Sequence, residues 1–221
     1  MQKIYSWYVP DYDSHFYAWM IHNDTTEYQK RQRDYLLANV GSFRTAVDIG
    51  GNVGFWSRDF CKKFKHVEIF EPEPSNLECL EANLKEYKNF NLNSVALGAK
   101  TNKRDFYKSR VASGAHSLHR KQIHDAEVDK LKVQVKRLDD YNLTNVDLIK
   151  IDTQGSEYDV LLGAMQTLSQ NDCVLNIEIE RKSEKQKIKD GLIRSLLGSL
   201  GYIEVTRFKK KEIIFKKVRK A

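Results

Sequence analysis

Hydrophobic residues change their spacing repeatedly along this 221-residue chain, and each change predicts an element. Residues 45–49 (TAVDI) form a short apolar run entering a glycine turn, and residues 55–64 place Trp56, Phe60 and Phe64 four apart on one helix face. Residues 66–70 read as the next strand. Ser75 with Glu78 makes a capping box for a helix striped by Leu77, Leu80, Leu84 and Tyr87, and residues 92–96 read as a third strand. Residues 99–130 are polar and irregular, predicting a strand and then a long loop, after which Val133 and Val135 alternate with polar neighbours as on a half-buried strand. Residues 147–151 form a buried strand, followed by a helix that Ser156 and Asp159 begin and that carries Leu161, Met165 and Leu168. Residues 174–179 are again a strand. Ser183 with Gln186 caps a helix striped by Ile188, Leu192, Leu196 and Leu200 and stopped by Gly201. Two runs, 202–208 and 212–218, flank three lysines and read as an antiparallel hairpin.

The chain before residue 44 is less regular, with an aromatic start, a capping signal at residues 24–27 and a helix over 27–39 stopped by Gly41. Residues 1–43 therefore read as a helical lid or extension on a domain of residues 44–221. Strands alternating with helices predict an α/β fold: a doubly wound, mostly parallel, Rossmann-like seven-stranded sheet closed by the antiparallel hairpin.

Composition changes this picture little. Three cysteines without a CxxC pair argue against a disulfide framework and against a cysteine-rich zinc site. No apolar run approaches the ~20 residues that span a bilayer, and the start lacks the pattern of a signal peptide, so a cytoplasmic location is expected. The net charge of +7 is concentrated in RFKKKEIIFKKVRKA. That run suits either weak, non-specific nucleic-acid binding or a solvated hairpin whose lysines discourage sheet-to-sheet association.

Three motifs carry candidate chemistry. VDIGGNVGFW follows a strand and opens a helix, and Gly50, Gly51 and Gly54 let the backbone turn sharply beside a ligand. A dinucleotide fingerprint would have GxGxxG spacing; here Asp48 stands at the turn, which suits a ligand bearing an ammonium group better than a pyrophosphate. Strand 66–70 ends in Phe70-Glu71-Pro72, placing Glu71 where it can accept from ribose hydroxyls. DLIKIDTQGSEYDVLLGA releases a buried strand into a turn at Asp152; that acid could orient or deprotonate a hydroxyl, while Glu157 either assists or serves the helix dipole.

VDIGGNVGFW, FEPEPSNLECLEANL, SVALGAK and LIKIDTQGSEYDVLLGA, in this order, resemble the FkbM family of S-adenosylmethionine-dependent methyltransferases over roughly residues 45–181. The resemblance implies the class I methyltransferase fold and O-methylation of a sugar, glycan or natural-product-like acceptor. It implies S-adenosylmethionine held by Asp48, Gly50, Asn52, Gly54, Glu71 and Pro72, with Val95 and Ala96 flanking the adenine. WYVPDYDSHF and EYQKRQRD resemble the N-terminal lid of some members, which would bring Tyr28, Gln29 and Arg33 to the cofactor. Two positions depart from the family: it usually carries alanine where Gly51 stands, a change expected to be harmless, and glutamate where Gln154 stands.

The long loop adds His116, His119 and His124. His116 is a candidate general base, and with no carboxylate at ligand spacing a metal is not expected. Glu178 and Glu180 could line the acceptor site from their strand end. Two rival readings remain: a nucleic-acid (RNA) methyltransferase, suggested by the basic C-terminus, and a non-catalytic cofactor-binding protein, suggested by Gln154.

Overall fold

The apolar run at Thr45 becomes an interior strand of a sheet with a packed layer on each face, which is why Ala46, Val47, Asp48 and Ile49 are all buried. The computed structural model describes residues 1–123, 128–180, 183–208 and 211–218. In chain order, a hairpin of β1 (Gln2–Ile4) and β2 (Trp7–Val9) leads into α1 (Ser14–Asn23) and α2 (Lys30–Ala38). Next come β3 (Thr45–Ile49), α3 (Phe55–Lys63), β4 (His66–Phe70), α4 (Pro74–Leu84) and β5 (Phe90–Asn93). A second sheet follows, of β6 (Ala96–Leu97), β7 (Asn102–Ser109) and β8 (Val128–Lys136). The chain returns through β9 (Val146–Ile151), α5 (Glu157–Leu162), α6 (Met165–Gln170), β10 (Val174–Glu178) and α7 (Glu184–Ser199), then closes with β11 (Tyr202–Phe208) and β12 (Glu212–Lys217).

The main sheet has seven strands in the order β5-β4-β3-β9-β10-β12-β11. β3, β4, β5, β9 and β10 pair in parallel, and β12 is inserted antiparallel between β10 and β11. This is the expected doubly wound fold with its closing hairpin. Alternate residues face alternate layers: Ala46 and Leu148 join α3, α4 and the N-terminal segment, whereas Val47 and Ile149 join α5, α6 and α7. With both faces covered, all six residues of β9 are buried.

Several local expectations are corrected. The signal at residues 24–27 does not start a helix: Asp24 ends α1 in a left-handed conformation, and α2 begins only after Gln29, also left-handed. α1 itself was not foreseen. α4 is capped not by Ser75 but by Glu73, which accepts from the Asn76 amide with Pro74 at the first helical position. The third strand is split, because a turn at Val95 sends β6 into the smaller sheet. The helix after β9 breaks at Gly163, where a Cβ would collide with the Gly98 carbonyl. In α7 the Ser183–Gln186 capping box forms as expected, but Ile193 and Leu197 face the core while Ile188 (60% exposed) and Leu192 (46%) do not. Among the described residues no helix is long and apolar enough to cross a membrane.

Candidate functional site

The carboxyl ends of β3, β4, β9 and β10 open onto one cavity of about 310 Å³, the crevice where ligands sit in open parallel sheets. Its first wall is the glycine turn. Gly50 (φ +82°) must be glycine, since a Cβ there would collide with the Asp152 carbonyl. A Cβ on Gly51 would lie 2.6 Å from Ile69 Cγ2, so glycine here is matched to Ile69 rather than interchangeable with the family's alanine. The Gly50 and Gly51 amides donate to the Phe70 carbonyl, and the Asn52 amide donates to Glu71 Oε2 at 2.8 Å. Gly54 begins α3, behind the turn and outside the cavity lining.

Glu71 is buried at the tip of β4, with Oε1 accepting from the Glu73 amide at 3.0 Å and from Asn76 Nδ2 at 3.3 Å. Burial pushes its carboxyl up to about 7, against the pull of these donors. Asn76 Nδ2 also donates to the Ser113 carbonyl, while its buried Oδ1 has no partner. Beside them Pro72, Val95, Ala96 and Leu97 form a mostly apolar slot. Residues 113–116 roof it. The Ser113 amide donates to the fully buried Asp13, which also caps α1 through the Phe16 amide, so the N-terminal segment pins the roof.

Asp48 is not on this wall. It is fully buried behind the turn, accepting from Ser57 Oγ at 2.6 Å and from Lys150 Nζ at 3.0 Å, and it does not line the cavity. Lys150, its β9 partner, does line the cavity. Burial pushes its ammonium down, but the adjacent Asp48 carboxylate outweighs this and holds it above the usual lysine range.

Across the cavity, Asp152 is half-buried at the end of β9, with Oδ1 accepting from Gln154 Nε2 at 2.7 Å. Glu178 and Glu180 project from the end of β10, and Glu178 pairs with Lys211. Burial, and then the charge of Asp152, push the Glu178 carboxyl up to about 8 despite Lys211. Glu157 points elsewhere: it accepts from Thr153 N, Thr153 Oγ1 and Gly155 N, so it shapes the turn rather than facing the main cavity. His116 lines the cavity, but the Ser109 amide donates to its Nδ1 at 3.0 Å, leaving the proton on Nε2, 2.8 Å from Tyr12 Oη. A neutral imidazole held this way has no lone pair to offer an acceptor, which removes it as a general base.

From the N-terminal segment, Tyr28 and Gln29 reach the cavity; Trp56 Nε1 donates to Gln29 Oε1 at 2.8 Å and Gln29 Nε2 donates to Glu212 Oε1 at 2.9 Å. Arg33 does not reach it, being buried against Asp59 and Glu27. Among the described residues no three His, Cys, Asp or Glu side chains converge as metal ligands, and His124 lies outside them. Of the basic run, Lys211 is inside the cavity and Lys217 donates to the Ser169 and Asn171 carbonyls. Lys209, Lys210, Arg219 and Lys220 lie outside the described residues.

Residues 48–204 match the family described as Methyltransferase FkbM domain. The chain belongs to this family. The FkbM domain is also similar to the 2-O-methyltransferase NoeI of Sinorhizobium fredii, 28% identical over 141 residues, covering 56% of this chain and 58% of NoeI. The FkbM methyltransferase structure from Methylobacillus flagellatus superposes with a TM-score of 0.54 at 19% identity, over 78% of this chain and 43% of that one. SMU.1697c of Streptococcus mutans, a putative methyltransferase in complex with SAH, gives 0.52 at 11% identity, over 86% and 97%. The chain thus spans about half the length of its FkbM relatives, and these structural likenesses establish its fold.

Four residues of this FkbM domain site escaped the sequence reading: Asp13, Asn76, Lys150 and Lys211. Only Lys150 carried a visible signal, a lone charge inside the otherwise apolar strand LIKI.

Proposed function

We propose that this FkbM domain binds S-adenosylmethionine and methylates a hydroxyl oxygen of a sugar, glycan or natural-product-like acceptor, with residues 1–43 as the lid over the cofactor. The observation that carries the reading is Glu71: a buried carboxylate, oriented by two backbone amides and Asn76, facing a cavity beside an apolar slot. The residues fit this cofactor. Glu71 lines the cavity with Oε2 accepting from one amide, the slot at Val95 and Ala96 is apolar as adenine would require, and the orphaned Asn76 Oδ1 beside Glu71 lacks a donor.

Bound there, S-adenosylmethionine supplies an electrophilic methyl group on a sulfonium. The chain's own work is positioning and proton removal. Asp152, kept in place by Gln154, would orient the acceptor hydroxyl and take its proton. Glu178 and Lys211 close the acceptor side, and the roof at residues 113–116 keeps water from the reacting oxygen. The name of the NoeI relative, a 2-O-methyltransferase, supports oxygen as the acceptor atom. The nucleic-acid reading is weakened because Lys211 and Lys217, two of the lysines it relied on, are engaged within the domain.

The test is an acceptor screen with isotope-labelled methyl donor over glycans, nucleotide sugars and RNA. Label in a hydroxyl of a carbohydrate, lost in Asp152→Asn, is the expected result. Label in RNA alone would contradict the acceptor class. Cofactor bound but never consumed would restore the non-catalytic reading.

A further inference from the structure

Lys150 is a charged side chain in the middle of the sheet, and holding Asp48 explains only part of its placement. β3 and β9 pair in parallel with Asp48 opposite Lys150, both side chains on the face covered by α3. The ammonium donates to Asp48 Oδ1 at 3.0 Å and to the Gly50 carbonyl at 2.9 Å, and it stands 5.9 Å from the Trp56 ring. An ammonium has three protons. Among the described residues the third has no protein acceptor, and the side chain lines the cavity beside Gly50, Trp56 and Gln29.

The neighbouring turn makes that proton significant. Glycine turns at strand ends hold anions through free backbone amides. Here the Gly50 and Gly51 amides are taken by the Phe70 carbonyl and the Asn52 amide by Glu71. The three amides that would meet an anion on this wall are therefore engaged, and the charged donor that remains is Lys150. The second lysine on the lining, Lys211, is matched to Glu178 across the cavity.

Resting on the reading that the cavity holds S-adenosylmethionine, we propose that Lys150 binds the α-carboxylate of the cofactor's methionine arm, with Asp48 as the positioning residue that holds the ammonium beneath the Gly50 turn. The acid of the first motif acts at second hand: it orients a cation that selects an anion. Adenine and ribose are recognised at the β4 end and the amino-acid arm at the β3–β9 seam.

The experiment is calorimetric titration of the whole chain with S-adenosylmethionine, S-adenosylhomocysteine and decarboxylated S-adenosylmethionine, which lacks only the carboxylate of the first. Lys150→Met is expected to weaken the two carboxylate-bearing ligands by about 10- to 150-fold, the range for losing a hydrogen bond to a charged group. Its affinity for the decarboxylated ligand should stay within about twofold of wild type. Because the single variant leaves a buried carboxylate unpaired and can fail to fold, the pair is also removed together in Asp48→Asn/Lys150→Met, where Ser57 still has an oxygen to donate to. The same selective loss is expected there. Lys211→Met should keep the wild-type preference for the carboxylate. Equal losses for all three ligands, no loss, or transfer of the selectivity to Lys211 would each overturn the proposal. A wild-type chain that binds none of the three would bring down the cofactor reading itself, a result distinct from those.

Discussion

At the ends of β3 and β4 the cavity wall is backbone, or a side chain that backbone amides hold; at the ends of β9 and β10 it is side chains that hold one another. Glu71 takes two amide donors and the Asn76 carboxamide. Asp152 takes a single glutamine, and Glu178 takes the end of a lysine. A group fixed by backbone has almost no freedom to lose when a ligand arrives, which suits a wall that, under the proposed function, would hold the cofactor. A group fixed by side chains can be re-aimed by substituting its neighbours, which suits a wall that, under the proposed function, would meet the acceptor. The departure from the family's glutamate at Gln154 lies on this second wall.

The sharpest break between the walls is in what each loses on substitution. Asp152→Asn keeps the shape and the bond to Gln154 but removes the proton acceptor. Turnover should fall by about 10²–10⁴-fold with cofactor affinity nearly unchanged. Single-turnover rates with labelled donor check this; a wild-type rate would leave Asp152 a turn residue and make Glu178 the candidate base.

A second contrast is in proton linkage. Glu71 titrates near 7 when buried without ligand, and a hydroxyl donor and a cationic ligand both favour its ionised form. Cofactor affinity should therefore rise as pH increases from about 6 to 8, with proton release on binding. Titrations in buffers of different ionisation enthalpy measure that release, and Glu71→Gln should flatten the slope. Stability without ligand runs the other way. Because the folded value lies above the ordinary glutamate 4.5, the contribution of Glu71 is complete below that value and is lost as pH rises through about 7. Thermal melts of wild type and Glu71→Gln should diverge in that window.

His116→Ala should cost about 1–3 kcal/mol of stability, because it removes the buried ring that accepts from the Ser109 amide and bonds Tyr12 Oη. The pH dependence of turnover should not shift, and a displaced profile would return the imidazole to the chemistry. The smallest effect concerns the basic run. Lys209→Gln with Lys210→Gln should reduce any weak, salt-sensitive RNA retention, checked by filter binding across a salt series, while leaving cofactor affinity unchanged.

The contrast also explains what could be read from sequence. The positions of Glu71 and Asp152 on the cavity were legible because strand tips are fixed by hydrophobic periodicity. Asp48 was placed on the correct strand but assigned to the ligand, because a local motif does not show that a lysine 102 positions later lies across from it. His116 was misassigned for a related reason: its tautomer is set by Ser109 and by Tyr12, the latter 104 positions away. α1 did leave a trace, Phe16 and Met20 four apart and both buried, hidden within a generally aromatic stretch. The Val95 turn left none, since a split between two sheets keeps the alternation of a single strand.

Titration of Glu71→Ala with S-adenosylmethionine tests the central claim most directly, because it removes the lining carboxylate that two backbone amides hold at the cavity. The account predicts a folded protein whose affinity falls by about 1.5–3 kcal/mol relative to wild type, as for losing a hydrogen bond to a charged group. A folded Glu71→Ala chain that binds S-adenosylmethionine as tightly as wild type would contradict it.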